Sequence, residues 1–392
     1  MKYLFKNFFP AMLLVAAALL ILALVSVSCG TTDALPAVEP VPDNPATALM
    51  RDMGIGINIG NTLDSIGTNT WLAGETGWGN PKITKEFIAA LKKYGYTTIR
   101  LPVTWAENMG PGPNYAIAET WMKRVEEVVK WILDEDMYCI LNLHHDGGES
   151  DKSWILKAGD DPIGVTKQFS AVWKQIAARF SGASDKLIFE AMNEVGFKMW
   201  NQWDSSTNGR KGEAYNILNG LNQAFVNTVR AAGGKNASRF LLVSGYYTDI
   251  DLTCDPLFRM PGDTPKDRLI LSVHYYTPAV FCILEKDESW GKNQTDWGAR
   301  ADYVELSDQF AKIRKRFIDK GIPVILGEYG VTFSKTKIEA ARSRWITAVT
   351  QICLNNGICP VFWDTGNDIK RGPESSYAMS GALKETWANI KR

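Results

Sequence analysis

The chain has 392 residues, of which 45% are hydrophobic and 22% charged. This is a globular composition, long enough for one large α/β barrel or two to three ordinary domains. Lys plus Arg number 43 and Asp plus Glu number 43, so the surplus positive charge that selects nucleic acid is missing and that partner class drops out.

The N-terminus carries Lys2 and Lys6, then an uncharged run from Phe8 to Ser28 that ends in small residues, the pattern of an export signal. Val25-Ser26-Val27-Ser28-Cys29-Gly30 resembles a bacterial lipobox with Cys29 as the lipidated residue, although Ser26 stands where Leu is usual. A plain secretion signal and an uncleaved membrane anchor are the alternatives. All three export the body, and the lipid form predicts an outer-membrane or cell-surface protein. Residues 29–48 contain Pro36, Pro40, Pro42 and Pro45 with few large apolar groups and read as a tether; the folded domain is expected over 49–392. Downstream of Cys29 the cysteines are Cys139, Cys254, Cys282, Cys353 and Cys359, an odd set. Cys139 and Cys359 lie in apolar runs and read as buried thiols, while Cys254 and Cys282 are the one pair open to bridging.

From residue 55 onward, short β-branched runs alternate with helical patterns. The runs are 55–59, 97–101, 138–143, 187–192, 240–244, 270–275, 322–327 and 358–362. They are nearly continuous, as strands buried on both faces must be. Trp121, Val125, Val128, Val129 and Ile132 mark one helical stripe between them; Ile338, Ala341, Trp345, Val349 and Ile352 mark another. Eight such strands alternating with helices predict a single (β/α)8 TIM barrel of the α/β class. The glycines of Gly54-Ile55-Gly56-Ile57-Asn58-Ile59-Gly60 lie within the first strand instead of after it, which argues against a nucleotide-binding turn.

Active sites of such barrels sit at the C-terminal strand ends. In order, those ends carry Asn58 and Asn61, Arg100, His144 and His145, Asn193 and Glu194, His274 and Tyr276, Glu328, and Trp363 with Asp364; only the fifth, near Ser244, offers no candidate. Taken singly, these groups have structural explanations. A lone Arg pairs on the surface, and a lone Trp or His fills a core. Seven strand ends together do not fit packing alone. Two apolar runs each end in a carboxylate, Glu194 and Glu328, and a facing carboxylate pair suits glycosidic bond cleavage: one donates a proton to the leaving oxygen and the other attacks or stabilises the anomeric carbon. Asn193 is placed to bind a sugar 2-hydroxyl, Arg100 and Tyr276 to hold Glu328 ionised, His274 to hold Glu194, and Trp363 to face a pyranose ring. A metal site is rejected. His144 and His145 are adjacent on an extended strand and point to opposite sides, and Asn58 and Gly60 do not make the paired ligands of a barrel metallohydrolase. No G-x-S-x-G elbow occurs. No cofactor is called for.

The motifs Arg100-Leu101-Pro102-Val103-Thr104-Trp105, Leu143-His144-His145-Asp146, Met192-Asn193-Glu194, His274-Tyr275-Tyr276 and Gly327-Glu328-Tyr329-Gly330 together resemble glycoside hydrolase family 5. Gly56 to Asp64 and Trp78-Gly79-Asn80-Pro81 resemble its subfamily 4, which holds endoglucanases, xyloglucanases and lichenases. The likeness runs from about residue 50 to 363. It implies a retaining endo-hydrolase of cellulose-type glucans, mixed-linkage β-glucan or xyloglucan. Glu194 would be the acid/base and Glu328 the nucleophile, with Arg100, His144, Asn193, His274, Tyr276 and Trp363 at the other active-site positions. His145 and Asn58 would touch the neighbouring sugar. Trp71, Trp78, Trp154, Trp200, Trp203, Trp290 and Trp297 fall in loops or near strand ends; some are expected to stack on sugars and about half to pack loops on the barrel. Trp200 and Trp203, in the polar loop 198–210, are the foremost rim candidates, and Asn61 joins the substrate-binding set. A mannanase or xylanase of the same clan and a non-catalytic glycan-binding lipoprotein remain as alternatives. A monomer is expected.

Overall fold

The computed structural model describes residues 40–67, 74–148 and 152–390. The export segment, Cys29, residues 30–39 of the tether and Trp71 lie outside the described residues. Eight strands, β1 (Gly56–Ile59), β2 (Thr98–Leu101), β3 (Tyr138–Asn142), β4 (Leu187–Glu190), β5 (Leu241–Ser244), β6 (Leu269–Tyr275), β7 (Val324–Tyr329) and β8 (Cys359–Asp364), pair in parallel in sequence order, and β8 closes on β1. Around them run α1 (Pro45–Met53), α2 (Lys85–Lys93), α3 (Glu119–Asp134), α4 (Pro162–Arg179), α5 (Lys211–Ala231), α6 (Ile250–Thr253), α7 (Ala279–Cys282), α8 (Arg300–Arg316), α9 (Glu339–Asn355) and α10 (Gly381–Asn389). The (β/α)8 barrel is the architecture the sequence predicts. Both helical stripes hold: the apolar residues named for α3 are buried, as are those of α9 apart from Ile338, its exposed N-cap.

Helix α1 begins inside the segment read as tether. Asn44 caps it, accepting the Thr47 N–H at 3.0 Å, and Pro45 supplies a preset φ at its first position. Its Met50 and Met53 are buried with Tyr138, Ile140, Ile188, Leu242, Ile270, Ile325, Cys359 and Val361 in a core separate from the barrel–helix layer. Met53 O also accepts the Thr98 hydroxyl at the start of β2. The helix therefore plugs the N-terminal end of the barrel. Each buried Met contributes roughly 1.5–3 kcal/mol through lost contact with water.

Side chains alternate along a strand with period two, so each inward apolar residue is followed two positions later by another inward residue. Ile140 leads to Asn142, Ile188 to Glu190, Leu242 to Ser244, Ile270 to Ser272 and then His274, and Val361 to Trp363. The interior is apolar at the bottom and polar at the top. The register of β6 on β7 shifts between Val273 and His274, so that Leu326 faces Val273 but Glu328 faces His274. This bulge, with Gly327 as the extra residue, brings His274 beside the second carboxylate. All five cysteines downstream of Cys29 are free thiols, and the Cys254–Cys282 bridge does not form. No helix among the described residues is long and apolar enough to cross a membrane.

Candidate active site

Arg100 organises the mouth of the barrel. Its side chain is fully buried and every guanidinium nitrogen donates: Nε to Glu190 Oε2 at 2.6 Å, Nη1 to Glu328 Oε1 at 2.7 Å and to Asn58 Oδ1 at 3.0 Å, and Nη2 to Asn193 Oδ1 at 2.7 Å. Burial alone would draw this guanidinium down, and the two carboxylates more than reverse that. Because Asn193 Oδ1 accepts from Arg100, its amide NH2 is left to donate to a bound group. Tyr276 Oη donates to the other oxygen of Glu328 at 3.0 Å, and burial followed by the nearby carboxylates holds its proton on.

Glu194 follows β4 with a left-handed φ of 46°. Such a conformation is costly for a side chain with a Cβ and is held here by surrounding packing. Its Oε1 lies 2.8 Å from His274 Nδ1, while His274 Nε2 has no hydrogen-bond partner among the described residues. That places the imidazole proton on Nδ1, donating to Glu194. One oxygen of Glu194, one of Glu328 and a ring nitrogen of His274 all lie within 4.8 Å of one another. The Glu194 side chain is 39% exposed toward the cleft and that of Glu328 only 6%. At Glu328 burial is the largest influence and raises the carboxyl; His274 and Arg100 pull it back, and the Glu194 charge adds to the rise. At Glu194 burial pushes the same way, but the hydrogen bond and charge of His274, with Arg100 and His145, bring the carboxyl below its ordinary value. Carboxyls this close titrate as one unit in two steps.

On the third strand, Asn142 Oδ1 accepts the Val103 N–H at 3.2 Å, so its NH2 faces Glu190 Oε2 and His144 Nδ1, both at 3.1 Å. His144 Nδ1 must accept, which leaves its proton on Nε2. Burial, then the neighbouring His145 and Arg100 charges, keeps this ring neutral, well below its ordinary pKa. Its plane is stacked within 7° of the Trp363 ring. Gly60 approaches the Cη2 and Cζ2 atoms of Trp363 so closely that a Cβ there would lie 2.8 Å from both. His145 sits between His144 and Trp78, 5.4 Å from the Trp78 ring. Asp64, beside it, accepts the Asn61 and Thr62 N–H groups and shapes the turn after β1.

Two cavities flank the carboxylates. One, of about 680 Å³, is lined by Glu194, Trp203, Tyr247, Asp251, His274 and Tyr276. The other, of about 410 Å³, is lined by Tyr276, Ile283, Phe333, Trp363, Thr365 and Asn367.

The structure gathers Arg100, His144, Asn193, Glu194, His274, Tyr276, Glu328 and Trp363 into one site, as the sequence predicts. It corrects two substrate-contact expectations. Asn58 is fully buried, and its amide is used up on Arg100 and on the Gly327, Val361 and Phe362 carbonyls, so it positions Arg100. Trp200 is 2% exposed, packed against Tyr215 and Tyr246, and belongs to the core beneath the rim. Asn61 is half-buried with a left-handed φ of 57°, and its hydrogen bonds to Asp64 and Asn80 run through its backbone. Of the other loop tryptophans, Trp154 and Trp297 are buried, whereas Trp78, Trp203 and Trp290 are exposed. Sequence reasoning missed Glu190, Asn142, Ser272 and Tyr247. The first three are polar residues inside apolar runs, spaced two from interior apolar neighbours, and that spacing was the available signal. Tyr247 lies three residues beyond Ser244 and fills the gap at the fifth strand.

The sequence model of Cellulase (glycosyl hydrolase family 5) matches residues 60–369. Endoglucanase A of Paenibacillus barcinonensis is 35% identical over 83% of this chain and 84% of its own length. A xyloglucan-specific endo-beta-1,4-glucanase of Bacteroides ovatus is 35% identical over 82% of this chain and 64% of its own. Among solved structures, a subfamily 4 broad-specificity endoglucanase from an uncultured bovine rumen ciliate superposes with a TM-score of 0.76 at 35% identity, covering 88% of this chain and 97% of that one. A family match across most of the barrel, together with a relative 35% identical over 84% of its own length, places the chain in glycoside hydrolase family 5.

Proposed function

We propose that this chain cleaves internal β-1,4-glucosidic bonds in cellulose-type glucan, mixed-linkage β-glucan or xyloglucan with retention of configuration. Glu194 acts as acid/base and Glu328 as nucleophile. The observation that carries this reading is the carboxylate pair, whose oxygens approach within 4.8 Å with Arg100 and Tyr276 on one member and His274 on the other. Retaining glycosidases hold their carboxyls about 5–5.5 Å apart, and inverting ones about 6.5–9.5 Å apart to admit water.

Glu328 attacks the anomeric carbon while Glu194 gives its proton to the leaving oxygen. Glu194 then takes a proton from the water that releases the glycosyl group. The Arg100 guanidinium keeps its charge throughout and stays on Glu328. The first step requires the proton of the pair on Glu194, whose side chain is the more open of the two to the cleft. The NH2 of Asn193 is left to donate to the 2-hydroxyl, an interaction that strengthens in the transition state. Trp363, steadied by the parallel His144 ring, lines the cavity beside Tyr276 and is placed to pack on the ring being cleaved.

Reducing-end release by residues 30–392 on carboxymethylcellulose, mixed-linkage β-glucan, xyloglucan, xylan and glucomannan tests this. Hydrolysis of one or more glucans is expected, with a loss of at least about 10³-fold in Glu328→Ala. Cleavage of xylan or glucomannan alone would move the substrate to another clan member's, and an active Glu328→Ala would refute the site. The pH dependence of kcat/KM should be bell-shaped, with both limbs belonging to the pair. From the sequence around Cys29, we also propose that the chain is exported and lipid-anchored at the outer membrane or cell surface. Incorporation of a labelled fatty acid that Cys29→Ala abolishes is the expected result.

A further inference from the structure

Glu190 is a third carboxylate beneath the reacting pair, and the mechanism above does not use it. It lies at the end of β4, fully buried, four residues before Glu194. Its Oε2 accepts from Arg100 Nε at 2.6 Å and from Asn142 Nδ2 at 3.1 Å, and its Oε1 accepts from the Ser272 hydroxyl at 3.1 Å. Held by β2, β3 and β6 together, the carboxylate has no room to swing. Arg100 thus lies between two anions, Glu190 on Nε and Glu328 on Nη1.

We propose that Glu190 is a positioning residue that divides the charge of Arg100 with Glu328, so that the nucleophile meets only part of the cation and stays basic enough to attack. The inference rests on Glu328 being the nucleophile. An arginine facing one carboxylate in a buried site draws that carboxyl down strongly, and a carboxylate held too acid is a weak nucleophile. With a second anion at Nε, the guanidinium still orients Glu328 and Asn193 through fixed hydrogen bonds, but its net field at Glu328 is reduced. The titratable and charged groups facing this cluster are Arg100 from β2, His144 from β3 through Asn142, His274 from β6, Glu328 from β7, and Glu194 beyond β4. None of these but Glu328 bonds Arg100, and Glu190 meets the guanidinium at Nε, away from the Nη1 that holds Glu328.

Glu190→Gln removes the charge and keeps the shape. Its carbonyl oxygen can serve Arg100 and Asn142, and its NH2 can donate to a turned Ser272 hydroxyl. The acidic limb of kcat/KM on a soluble β-glucan should then move down by about one pH unit, with kcat/KM at the optimum falling about three- to tenfold. Glu190→Asp keeps the charge and should leave the limb within about 0.3 unit of wild type while lowering kcat through lost reach to Arg100. The same displacement should appear in the ¹³Cδ titration of Glu328, a readout that needs no turnover. An unmoved or raised limb in Glu190→Gln would overturn the inference, and so would an equal displacement in Glu190→Asp. Failure of the underlying reading is seen separately, as an active Glu328→Ala or a wild type silent on every glucan.

Discussion

Trp200 and Trp203 are three positions apart in one loop, yet they have opposite fates. Trp203 is 78% exposed beside Glu194, and Trp200 is buried under Tyr246 and Tyr215. Trp203→Ala should raise KM on polymeric glucan about three- to tenfold, the loss of one stacking face, without shifting the thermal midpoint. Trp200→Ala should destabilise the fold by about 3–5 kcal/mol, read from urea unfolding, because it opens a cavity. Equal effects of the two changes on the melt would refute this division. The loop composition did not distinguish the residues, since burial of an aromatic in an irregular segment is decided by what the neighbouring strands present. Glu194 and Glu328 were legible because each ends an apolar run. Glu190 was not, because an acid inside such a run is hidden by its neighbours until the period-two alternation is followed inward.

At the level of the strands, the fold was legible almost to the residue, because a strand covered on both faces must be continuously apolar and a parallel sheet needs a helix between its strands. The register was not. The shift of β7 against β6 depends on Gly327, where an added Cβ would lie 2.8 Å from Ser272 Oγ and 3.1 Å from His274 Nε2. No sequence period marks one extra residue in a strand. Since the bulge sets His274 opposite Glu328, Gly327→Ala should push the imidazole away and lower kcat by about tenfold or more. The circular dichroism spectrum should stay unchanged. A variant with native kcat would show that the bulge tolerates the methyl and does not set the distance between the two groups. Gly60 acts similarly just after the first strand, where a side chain would displace Trp363.

For the whole molecule, the buried acids set the pH response of stability. Asp64 and Asp146 are both raised by burial from 3.8 to about 6, against the backbone N–H groups that stabilise their charged forms. Asp146 accepts the Trp105 N–H at 2.8 Å and the Trp154 indole at 2.7 Å. Between about pH 4 and 6 the folded chain holds protons that the unfolded chain has released. Stability from these two groups is therefore full below about pH 4 and declines as pH rises through about 6. Each group accounts for on the order of 3 kcal/mol. Urea midpoints measured from pH 4 to 7 should fall, and Asp146→Asn should flatten that slope; an identical slope in the variant would show that Asp146 does not contribute. The plug formed by α1 bears on how the enzyme meets an insoluble polymer. The chain enters through the floor of the barrel, where Met50 and Met53 seal the interior, while all the chemistry lies at the ceiling. The cleft therefore opens at the end of the barrel opposite α1, and a long glucan can lie across the mouth without meeting that helix.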